Sequence, residues 1–406
     1  MGKTRRIAGL DIGTTKICAF VAEMNGGPQP RVVGFGQAPS EGLRRGVVVD
    51  LEKTVAAIEA AMDEAEQQAG FPVREVVAGI AGDHIRSINS RGVVAVARRD
   101  NEITPQDIAR ALEQARAMAI PVDREIIHAI TQQFIVDDQD GVRDPLGMTG
   151  VRLEADVHII TGAVTAARNI VKGISRAGLK VRDLVLEPLA SSHSTLEPDE
   201  RQMGVVLIDI GGGTTDVALF HEGSIRHTAI LPLGGANVTN DLAIGLRAPF
   251  EKAEELKIHH GCALASKVDA SELILVPGVG GRETREISRH LLASMIEPRM
   301  EEIFQLALRE VRRNPYFDAV GAGVVLTGGT ALLSGAPELA AEIFQLPVRV
   351  GVPGGVEALP EQACDPRFAT GVGLLLHAFQ EEPDEAAGRL GSRLGGIRQW
   401  IQDLVS

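Results

Sequence analysis

Two short segments of similar composition carry residues suited to phosphate binding. The first reads DIGTTK (11–16) and the second reads DIGGGTTD (209–216). Glycine lets a backbone approach a phosphate closely, successive N–H groups of a turn can form an anion-binding nest, and threonine hydroxyls add donors. An aspartate at the end of a strand can hold Mg²⁺ through water. Together the two segments predict a paired site for a phosphate ligand with its magnesium ion.

The candidate binding residues are the aspartates, the turn residues and the lysine that follows the first turn. In the first segment they are Asp11, Gly13, Thr14, Thr15 and Lys16. In the second segment they are Asp209, Gly211, Gly212, Gly213, Thr214 and Thr215. Three successive glycines weaken a turn unless it must lie very close to another group. We expect the segments to face each other around the β- and γ-phosphates, with Asp11 and Asp209 beside the metal ion. A solvated strand-end lysine is the alternative for Lys16.

Two further segments complete the set of candidates. The sequence TGGT (327–330) follows an apolar run, and its glycines, Gly328 and Gly329, would let a base or sugar lie against the backbone. An ordinary strand–helix turn is the alternative. Glu187, in LEPLAS (186–191), ends a predicted strand, where it could orient a water molecule or equally be an exposed turn carboxylate.

The elements around these segments follow from the apolar pattern. Each DIG segment is flanked by two apolar runs, which predicts a strand–turn–strand hairpin, and two similar hairpins so far apart indicate a duplicated domain. Residues 51–69 predict a helix that ends at Gly70. Residues 84–162 predict a separate α+β unit with a helix capped by Thr104, inserted into the first half. The mixture favours an α/β fold with two similar halves.

Composition excludes several classes of protein. The chain has 406 residues with a formal net charge of −13, which argues against a broad nucleic-acid footprint. Its three cysteines are far apart and form no CxxC pair, so we expect reduced thiols rather than a disulfide framework or zinc site. No apolar stretch reaches about 18 residues, so we expect no membrane-spanning helix.

The last residues predict an amphipathic helix over 396–406 on a charged, glycine-containing tether over 381–395. One face of this helix is apolar and consists of Ile397, Trp400, Ile401, Leu404 and Val405. A helix this short is about 15 Å long and cannot cross the roughly 30 Å hydrocarbon core of a bilayer. It is therefore predicted to lie in the interface of a membrane. Docking of the helix onto its own domain is the alternative.

The chain resembles the actin, Hsp70 and sugar-kinase ATPase superfamily in the order of its segments. A phosphate hairpin is followed by an acidic segment, a second phosphate hairpin and paired glycines. Within this superfamily, segments such as DHIRSINSRGVVAVARRDNEIT, AILPLGGANVTNDLA and RFATGVGLLLHAF are similar to the FtsA family, actin-like proteins of bacterial cell division. The resemblance covers about residues 7 to 378 and resumes in the terminal helix. It implies a two-lobed actin-like fold of duplicated ribonuclease-H-like domains, with an inserted α+β subdomain called 1C.

The resemblance also implies a division of the chain into subdomains. These are 1A (1–83, 163–203 and 353–380), 1C (84–162), 2A (204–229 and 301–352) and 2B (230–300), followed by the linker and the membrane helix. It further implies ATP and Mg²⁺ in the cleft. Glu187 matches a water-orienting position, and Glu254 and Lys257 match a helix beside the adenine and ribose. The alternative for the last two is a plain surface ion pair.

The function implied is that of an ATP-binding scaffold with at most weak ATPase activity. Such a protein forms head-to-tail filaments on the inner face of the cytoplasmic membrane at the septum. It binds the C-terminal tail of the tubulin-like ring protein FtsZ and helps to recruit later divisome membrane proteins. Subdomain 2B is the expected FtsZ site, where Arg285, Arg289 and Arg299 could meet an acidic tail or simply form a solvated helix face. A PilM-like scaffold of type IV pilus assembly and a small-molecule kinase are the alternatives.

Overall fold

The computed structural model describes residues 5–24, 27–97, 100–278 and 283–380. The strands are β1 (Arg5–Ile12), β2 (Lys16–Met24), β3 (Arg31–Pro39), β4 (Leu43–Arg44), β5 (Val47–Val48), β6 (Glu75–Ile80), β7 (Arg86–Ala95), β8 (Arg124–Val136), β9 (Gln139–Val142), β10 (Arg152–Ala163), β11 (Lys180–Leu186), β12 (Val205–Ile210), β13 (Thr215–His221), β14 (Ser224–Leu231), β15 (Leu273–Val276), β16 (Arg285–Ser288), β17 (Val324–Thr327) and β18 (Val348–Val350). The α-helices are α1 (Leu51–Ala69), α2 (Pro105–Arg116), α3 (Val164–Arg176), α4 (Glu187–Thr195), α5 (Pro198–Met203), α6 (Gly235–Gly245), α7 (Phe250–His260), α8 (Arg289–Arg312), α9 (Ala336–Phe344) and α10 (Ala369–Gln380).

Two five-stranded sheets share one topology. The first has the order β3-β2-β1-β6-β11, and the second has the order β14-β13-β12-β17-β18. In each sheet three consecutive strands, β1 to β3 or β12 to β14, form an antiparallel meander. Two later strands, β6 and β11 or β17 and β18, extend the sheet in parallel. We call the halves built on these sheets lobe I and lobe II. The predicted duplication and the actin-like α/β fold class are confirmed.

Local sequence signals set the helix boundaries where they are strongest. Helix α1 begins after Asp50, whose side chain accepts a hydrogen bond from the backbone N–H of Lys53. It ends at Gly70, which has a φ of 77° and so adopts the left-handed conformation that glycine tolerates. The predicted helix over 51–69 is therefore confirmed at both ends. The same holds for the start of α2, where Thr104 and Asp107 form a capping box.

The final helix, α10, returns the chain to lobe I and closes its core. It packs against α4 so closely that a Cβ on Gly373 would lie 1.8 Å from the carbonyl oxygen of Ala190. Only glycine allows this approach of two helix backbones. Most of α10 is buried, including Val372, Leu374 and Leu375. The lobe I core is therefore completed by residues more than 350 positions from its first strand.

The inserted unit forms its own sheet, in the order β7-β10-β8-β9, with α2 packed against it. It also docks on β14, the edge strand of lobe II. The Gln132 amide donates to the carbonyl oxygen of Ile225 at 2.7 Å. Buried His158 bonds to Asn89 Oδ1 at 2.6 Å and to Thr228 Oγ1 at 2.9 Å. His158 is therefore a buried histidine whose two ring nitrogens both have hydrogen-bond partners.

Three other expectations concern the boundaries, the thiols and the membrane. The predicted boundary between 230–300 and 301–352 falls inside α8, which is one continuous helix from Arg289 to Arg312. The remaining subdomain boundaries stay predictions. All three cysteines are free thiols, as expected. Within the described ranges, no helix is both long and apolar enough to span a bilayer.

Candidate functional site

A cleft of about 840 Å³ lies where the turns of the β1–β2 and β12–β13 hairpins meet. We call these the first and second hairpin. The cleft brings together almost all of the predicted nucleotide residues: Asp11, Gly13, Thr14, Thr15, Lys16, Glu187, Asp209, Gly211, Gly212, Gly213, Thr214, Glu254, Lys257, Gly328 and Gly329. Thr215 does not line it, because this residue is fully buried and its hydroxyl donates to the carbonyl oxygen of Leu233 at 2.8 Å. That candidate is corrected to a structural residue of the second hairpin.

The two hairpin turns touch each other across the cleft. Each turn is closed by one backbone hydrogen bond, from Gly13 N–H to the Lys16 carbonyl at 3.0 Å and from Gly211 N–H to the Thr214 carbonyl at 2.9 Å. A Cβ on Gly212 would lie only 2.2 Å from Thr15 Cγ2. The glycines of the second turn thus leave room for the threonine side chains of the first, which lie directly against the glycine backbone.

Lys16 supplies a positive charge at the first turn. Its ammonium lies 2.9 Å from Asp11 Oδ2 and 3.4 Å from Cys18 Sγ. Burial alone would lower the pKa of Lys16, but the Asp11 carboxylate outweighs burial and the pKa is raised. Lys16 is therefore charged and held in place at the cleft, and the alternative of a solvated strand-end lysine is wrong.

The acidic residues of the cleft are poorly compensated. Burial, followed by the charge of Asp11, raises the pKa of Asp209 to about 6. Glu187 does not end its strand but is the first residue of α4. Burial raises its pKa well above the usual range, and the charges of Asp11, Asp216 and Asp209 add to this. Glu187 is consequently part of the cleft floor rather than an exposed turn carboxylate.

Asp216 belongs to the same group and was not among the predicted site residues. It lies opposite Asp209 in the β12–β13 register, and it is only 3% exposed. Its Oδ1 atom is buried and has no hydrogen-bond partner among the described residues. Burial, with the charges of Asp209 and Asp11, raises its pKa as well. The signal was present in the sequence, because cross-strand partners in a hairpin point to the same face of a sheet.

The charge of the cleft fits a nucleotide only together with a cation. Its carboxylates are Asp11, Glu187, Asp209, Asp216 and Glu254, and its cations are Lys16, Lys257 and Arg367. A triphosphate would add further negative charge, and oxygen-rich sites suit Mg²⁺, which tends to keep several of its waters. Across the described parts of the chain, no group of three or more His, Cys, Asp or Glu residues is arranged to hold a metal ion directly. The donor set therefore fits Mg²⁺ held through water.

Glu254 and Lys257 do not form a plain surface ion pair. The Lys257 ammonium is buried and bonds to Glu254 at 2.7 Å, to Thr239 Oγ1 at 2.9 Å and to the Gly235 carbonyl at 3.1 Å. Burial lowers its pKa, and Glu254 partly offsets that effect. Because an ammonium has three donors, these contacts use its full capacity. Lys257 fastens α7 to the start of α6 and so shapes the wall of the cleft.

An apolar section of the cleft was missed by the sequence predictions. Phe250, Ile258 and Leu332 line it, and they are 50%, 65% and 50% exposed. Phe250 and Ile258 lie on α7 with Glu254 between them, at the i, i+4, i+8 spacing of one helix face. Arg367 and Thr370, which also line the cleft, lie on the segment that returns to lobe I. Nothing in their spacing indicated that they would meet residues of lobe II.

The duplicated sheets, the facing hairpins and the cleft between them define a two-lobed protein with the actin-like fold. Solved structures agree. The chain is similar to one in the "PilM-PilN type IV pilus biogenesis complex" at a TM-score of 0.67 and 18% identity, covering 93% of this chain and 99% of that one. It is similar to MreB 5 of Spiroplasma citri bound to AMPPNP at a TM-score of 0.58 and 14% identity, covering 93% and 97%.

Sequence comparison shows which family of actin-like proteins the chain belongs to. The model of "Cell division protein FtsA" matches residues 206–373, and that of the "SHS2 domain inserted in FTSA" matches residues 82–161. The chain is 52% identical to the cell division protein FtsA of Pseudomonas aeruginosa over 380 residues, covering 94% of this chain and 91% of the relative. It is 37% identical to that of Escherichia coli over 410 residues, covering 98% and 97%. The chain belongs to the FtsA family of cell division proteins, which favours that prediction over the pilus scaffold.

Two groups of predicted residues remain without a test. The apolar face of the terminal helix, Ile397, Trp400, Ile401, Leu404 and Val405, lies outside the described residues. In the predicted FtsZ region, Arg299 pairs with Asp241 at 2.7 Å, and Arg289 pairs with Glu272 at 2.9 Å. These arginines already have intramolecular partners, so a role in binding an acidic tail stays a prediction.

Proposed function

We propose that this protein is an ATP-binding, actin-like scaffold of cell division that assembles into filaments on the inner face of the cytoplasmic membrane. The observation that carries the proposal is the contact between the two hairpin turns, where Gly212 and Gly213 lie against Thr15 and Thr14. A ligand that bonds to both turns at once favours the closed arrangement of the lobes. Family membership supports the role in division.

The cleft residues divide the work of holding Mg-ATP. Turn N–H groups, the Thr14, Thr15 and Thr214 hydroxyls and the Lys16 ammonium bind the phosphates. Asp11 and Asp209 hold the waters of Mg²⁺, which neutralises phosphate charge when bound. Gly328 and Gly329 bring backbone against the adenosine, beside the α7 wall that Lys257 fixes. Glu187 orients a water at the phosphate end.

The inserted unit over 84–162 makes filament or partner contacts rather than nucleotide contacts. None of its described residues lines the cleft. Several of its apolar side chains are exposed, among them Val122, Leu146 and Val151. Subdomain 2B, over 230–300, binds the C-terminal tail of FtsZ, and the assembled filament recruits later divisome membrane proteins at the septum.

The terminal helix attaches the scaffold to the lipid of the inner membrane. Burying each large apolar side chain contributes about 1.5–3 kcal/mol at most, and ordering the segment offsets much of this. One helix therefore binds weakly, and a filament that presents many helices binds firmly through effective concentration. Polymerisation and membrane attachment should reinforce each other.

The test is ATP-dependent pelleting with and without lipid vesicles, on the parent protein and on Trp400→Glu. We expect the parent to pellet with vesicles in Mg-ATP. Trp400→Glu places a charge in the apolar face and should remain in the supernatant with vesicles, while its ATP affinity stays unchanged. Gln399→Glu, a change on the polar face of the predicted helix, is the matched control and should pellet like the parent. Equal vesicle binding by Trp400→Glu and the parent would show that this helix is not the anchor.

A further inference from the structure

Arg367 and the apolar section of the cleft belong to different lobes. It lies in a short 3-10 helix, Pro366–Phe368, just before α10 of lobe I. Phe250, Ile258 and Leu332 belong to elements of lobe II. All four residues line the same cleft. Arg367 is thus a second cation that lobe I adds to the cleft, besides Lys16 at the first hairpin turn.

The backbone that carries Arg367 is fixed to the end of β17. The carbonyl oxygen of Pro366 accepts hydrogen bonds from Gly328 N–H at 3.2 Å and from Thr327 Oγ1 at 3.3 Å. These are the residues of the predicted adenosine turn. The position of Arg367 is therefore tied to the same backbone that the nucleotide is expected to contact.

The side chain of Arg367 is held as firmly as its backbone. Asp365 accepts hydrogen bonds from the guanidinium at two points, from Nε at 2.9 Å and from Nη2 at 3.1 Å. A two-point pair with a carboxylate fixes the plane of a guanidinium. The side-chain stem lies against Gly329, where an added Cβ would be 3.2 Å from Arg367 Cγ. The absence of a side chain at Gly329 thus leaves room for the Arg367 stem.

The apolar section offers a surface for an apolar ligand group. Phe250, Ile258 and Leu332 line the cleft and are each half exposed or more. A planar guanidinium stacks well on aromatic rings, including those of nucleobases. An oriented arginine that lines the same cleft as exposed apolar side chains is suited to hold a ring bound there.

We infer that Arg367 is a positioning residue for the base of the bound nucleotide, stacking on the ring while Asp365 holds its plane. This inference rests on the proposed binding of ATP. A base held in this way contacts both lobes, since Arg367 belongs to lobe I and the apolar wall to lobe II. The base would then favour the closed cleft independently of the phosphates.

The test compares ligands with and without a base. Affinities of the full chain for Mg-ATP, Mg-UTP and Mg-tripolyphosphate are measured by calorimetry and by competition with a labelled ATP. Arg367→Ala should weaken ATP binding about fivefold, the size expected for one partly exposed cation–π contact. Tripolyphosphate affinity should stay unchanged. The ATP-to-UTP affinity ratio should fall, because a purine offers a larger ring for stacking. Arg367→Lys should lose most of the same affinity, because lysine keeps the charge without the plane.

Arg313→Ala is the matched control, because Arg313 also pairs with a carboxylate, Glu310, but lies outside the residues that line the cleft. It should bind all three ligands like the parent, and thermal unfolding followed by circular dichroism should show both variants folded. Unchanged ATP affinity in Arg367→Ala would overturn the inference. An equal loss for ATP and tripolyphosphate would also overturn it and assign Arg367 to the phosphates. Failure of the parent protein to bind ATP at all would instead refute the proposed function.

Discussion

The two hairpins that meet at the cleft share a geometry but differ in chemistry. In the first, Asp11 lies opposite Cys18, and in the second, Asp209 lies opposite Asp216. Lys16 and Thr214 stand at the same distance in sequence after the aspartates of their hairpins, Asp11 and Asp209. The first hairpin therefore neutralises its own aspartate, whereas the second adds a second carboxylate and no cation. The two hairpins together therefore carry three carboxyl groups, Asp11, Asp209 and Asp216, and one ammonium, Lys16.

The turn residues differ in a complementary way. By position after the aspartate, Thr14 and Thr15 correspond to Gly212 and Gly213. In the structure the contacts are crossed, with Thr15 against Gly212 and Thr14 against Gly213. One copy presents side chains, and the other presents bare backbone to receive them. A duplicated element that must close on its own copy cannot keep bulky residues in both turns. The divergence of the two hairpins is thus a consequence of their contact.

The largest effect is expected from filling the space between the turns. In Gly212→Val the new Cβ would lie 2.2 Å from Thr15 Cγ2, so the turns must separate. We expect no measurable Mg-ATP binding by calorimetry in a protein that remains folded by circular dichroism, because the fold of each lobe does not depend on this contact.

A compensating pair of changes sharpens this test. Gly212→Ala alone should weaken ATP binding strongly. Gly212→Ala combined with Thr15→Ser, which removes the clashing Cγ2 and keeps the hydroxyl, should recover much of the loss. If the double variant binds no better than Gly212→Ala, the defect comes from the glycine conformation and not from the contact between hairpins. Full affinity in folded Gly212→Val would contradict the assignment of the phosphate site.

The second-largest effect is expected from removing the charge of Lys16, the cation of the two turns. Lys16→Met removes a charged hydrogen bond, and such bonds contribute about 1.5–3 kcal/mol. We expect Mg-ATP affinity to fall roughly a hundredfold, as measured by calorimetry. Thr214→Val, at the corresponding position of the second hairpin, removes only a neutral donor and should cost less than tenfold. Equal losses of Mg-ATP affinity in Lys16→Met and Thr214→Val would contradict the proposed difference between the two hairpins.

The smallest effect is a pH dependence of stability without nucleotide. The folded-state pKa of Asp209, about 6, is raised above the usual value for aspartate of 3.8. Its contribution to the free energy of unfolding is therefore fully present below about pH 4 and is lost as the pH rises through about 6. Asp209→Asn should remove a decline on the order of 2 kcal/mol over this window, measured by urea unfolding at several pH values.

Asp138→Asn is the control for this experiment. Asp138 is an exposed aspartate outside the cleft that pairs with Arg152 at 3.3 Å, so Asp138→Asn makes the same chemical change away from the site. A profile for Asp209→Asn that parallels the parent protein's would mean that Asp209 is not the group that titrates.

Much of the fold could be predicted because its signals are local. The hairpins, α1 with its caps at Asp50 and Gly70, and the capping box of α2 depend on residues close together in the chain. The turn residues of the cleft were predictable for the same reason, since their aspartates, glycines and threonines are contiguous in the chain. Thr215 was misassigned because alternation along a strand turns it away from the cleft, where its hydroxyl bonds to Leu233.

The missed residues are those whose role depends on distant partners. Asp216 was predictable in principle from hairpin register. Arg367 and the apolar wall were not, because lobe I and lobe II meet there and no spacing in the sequence encodes that meeting. The contacts of Lys257 could not be predicted either. Its i, i+3 pair with Glu254 looks like a surface ion pair in the sequence, and only the fold brings the Gly235 carbonyl to the Lys257 ammonium.

By itself, the sequence determined the duplicated hairpins, the boundaries of α1, the turn residues that meet at the cleft and the membership of a family. These depend on backbone conformations and residue types within short segments. Only the tertiary structure decided that Gly212 faces Thr15, that Glu187 and Asp216 share a cleft with Lys16 and Lys257, and that Arg367 stands against the turn at Gly329. Burial and charge are properties of what surrounds a side chain, and here the surroundings come from the other lobe.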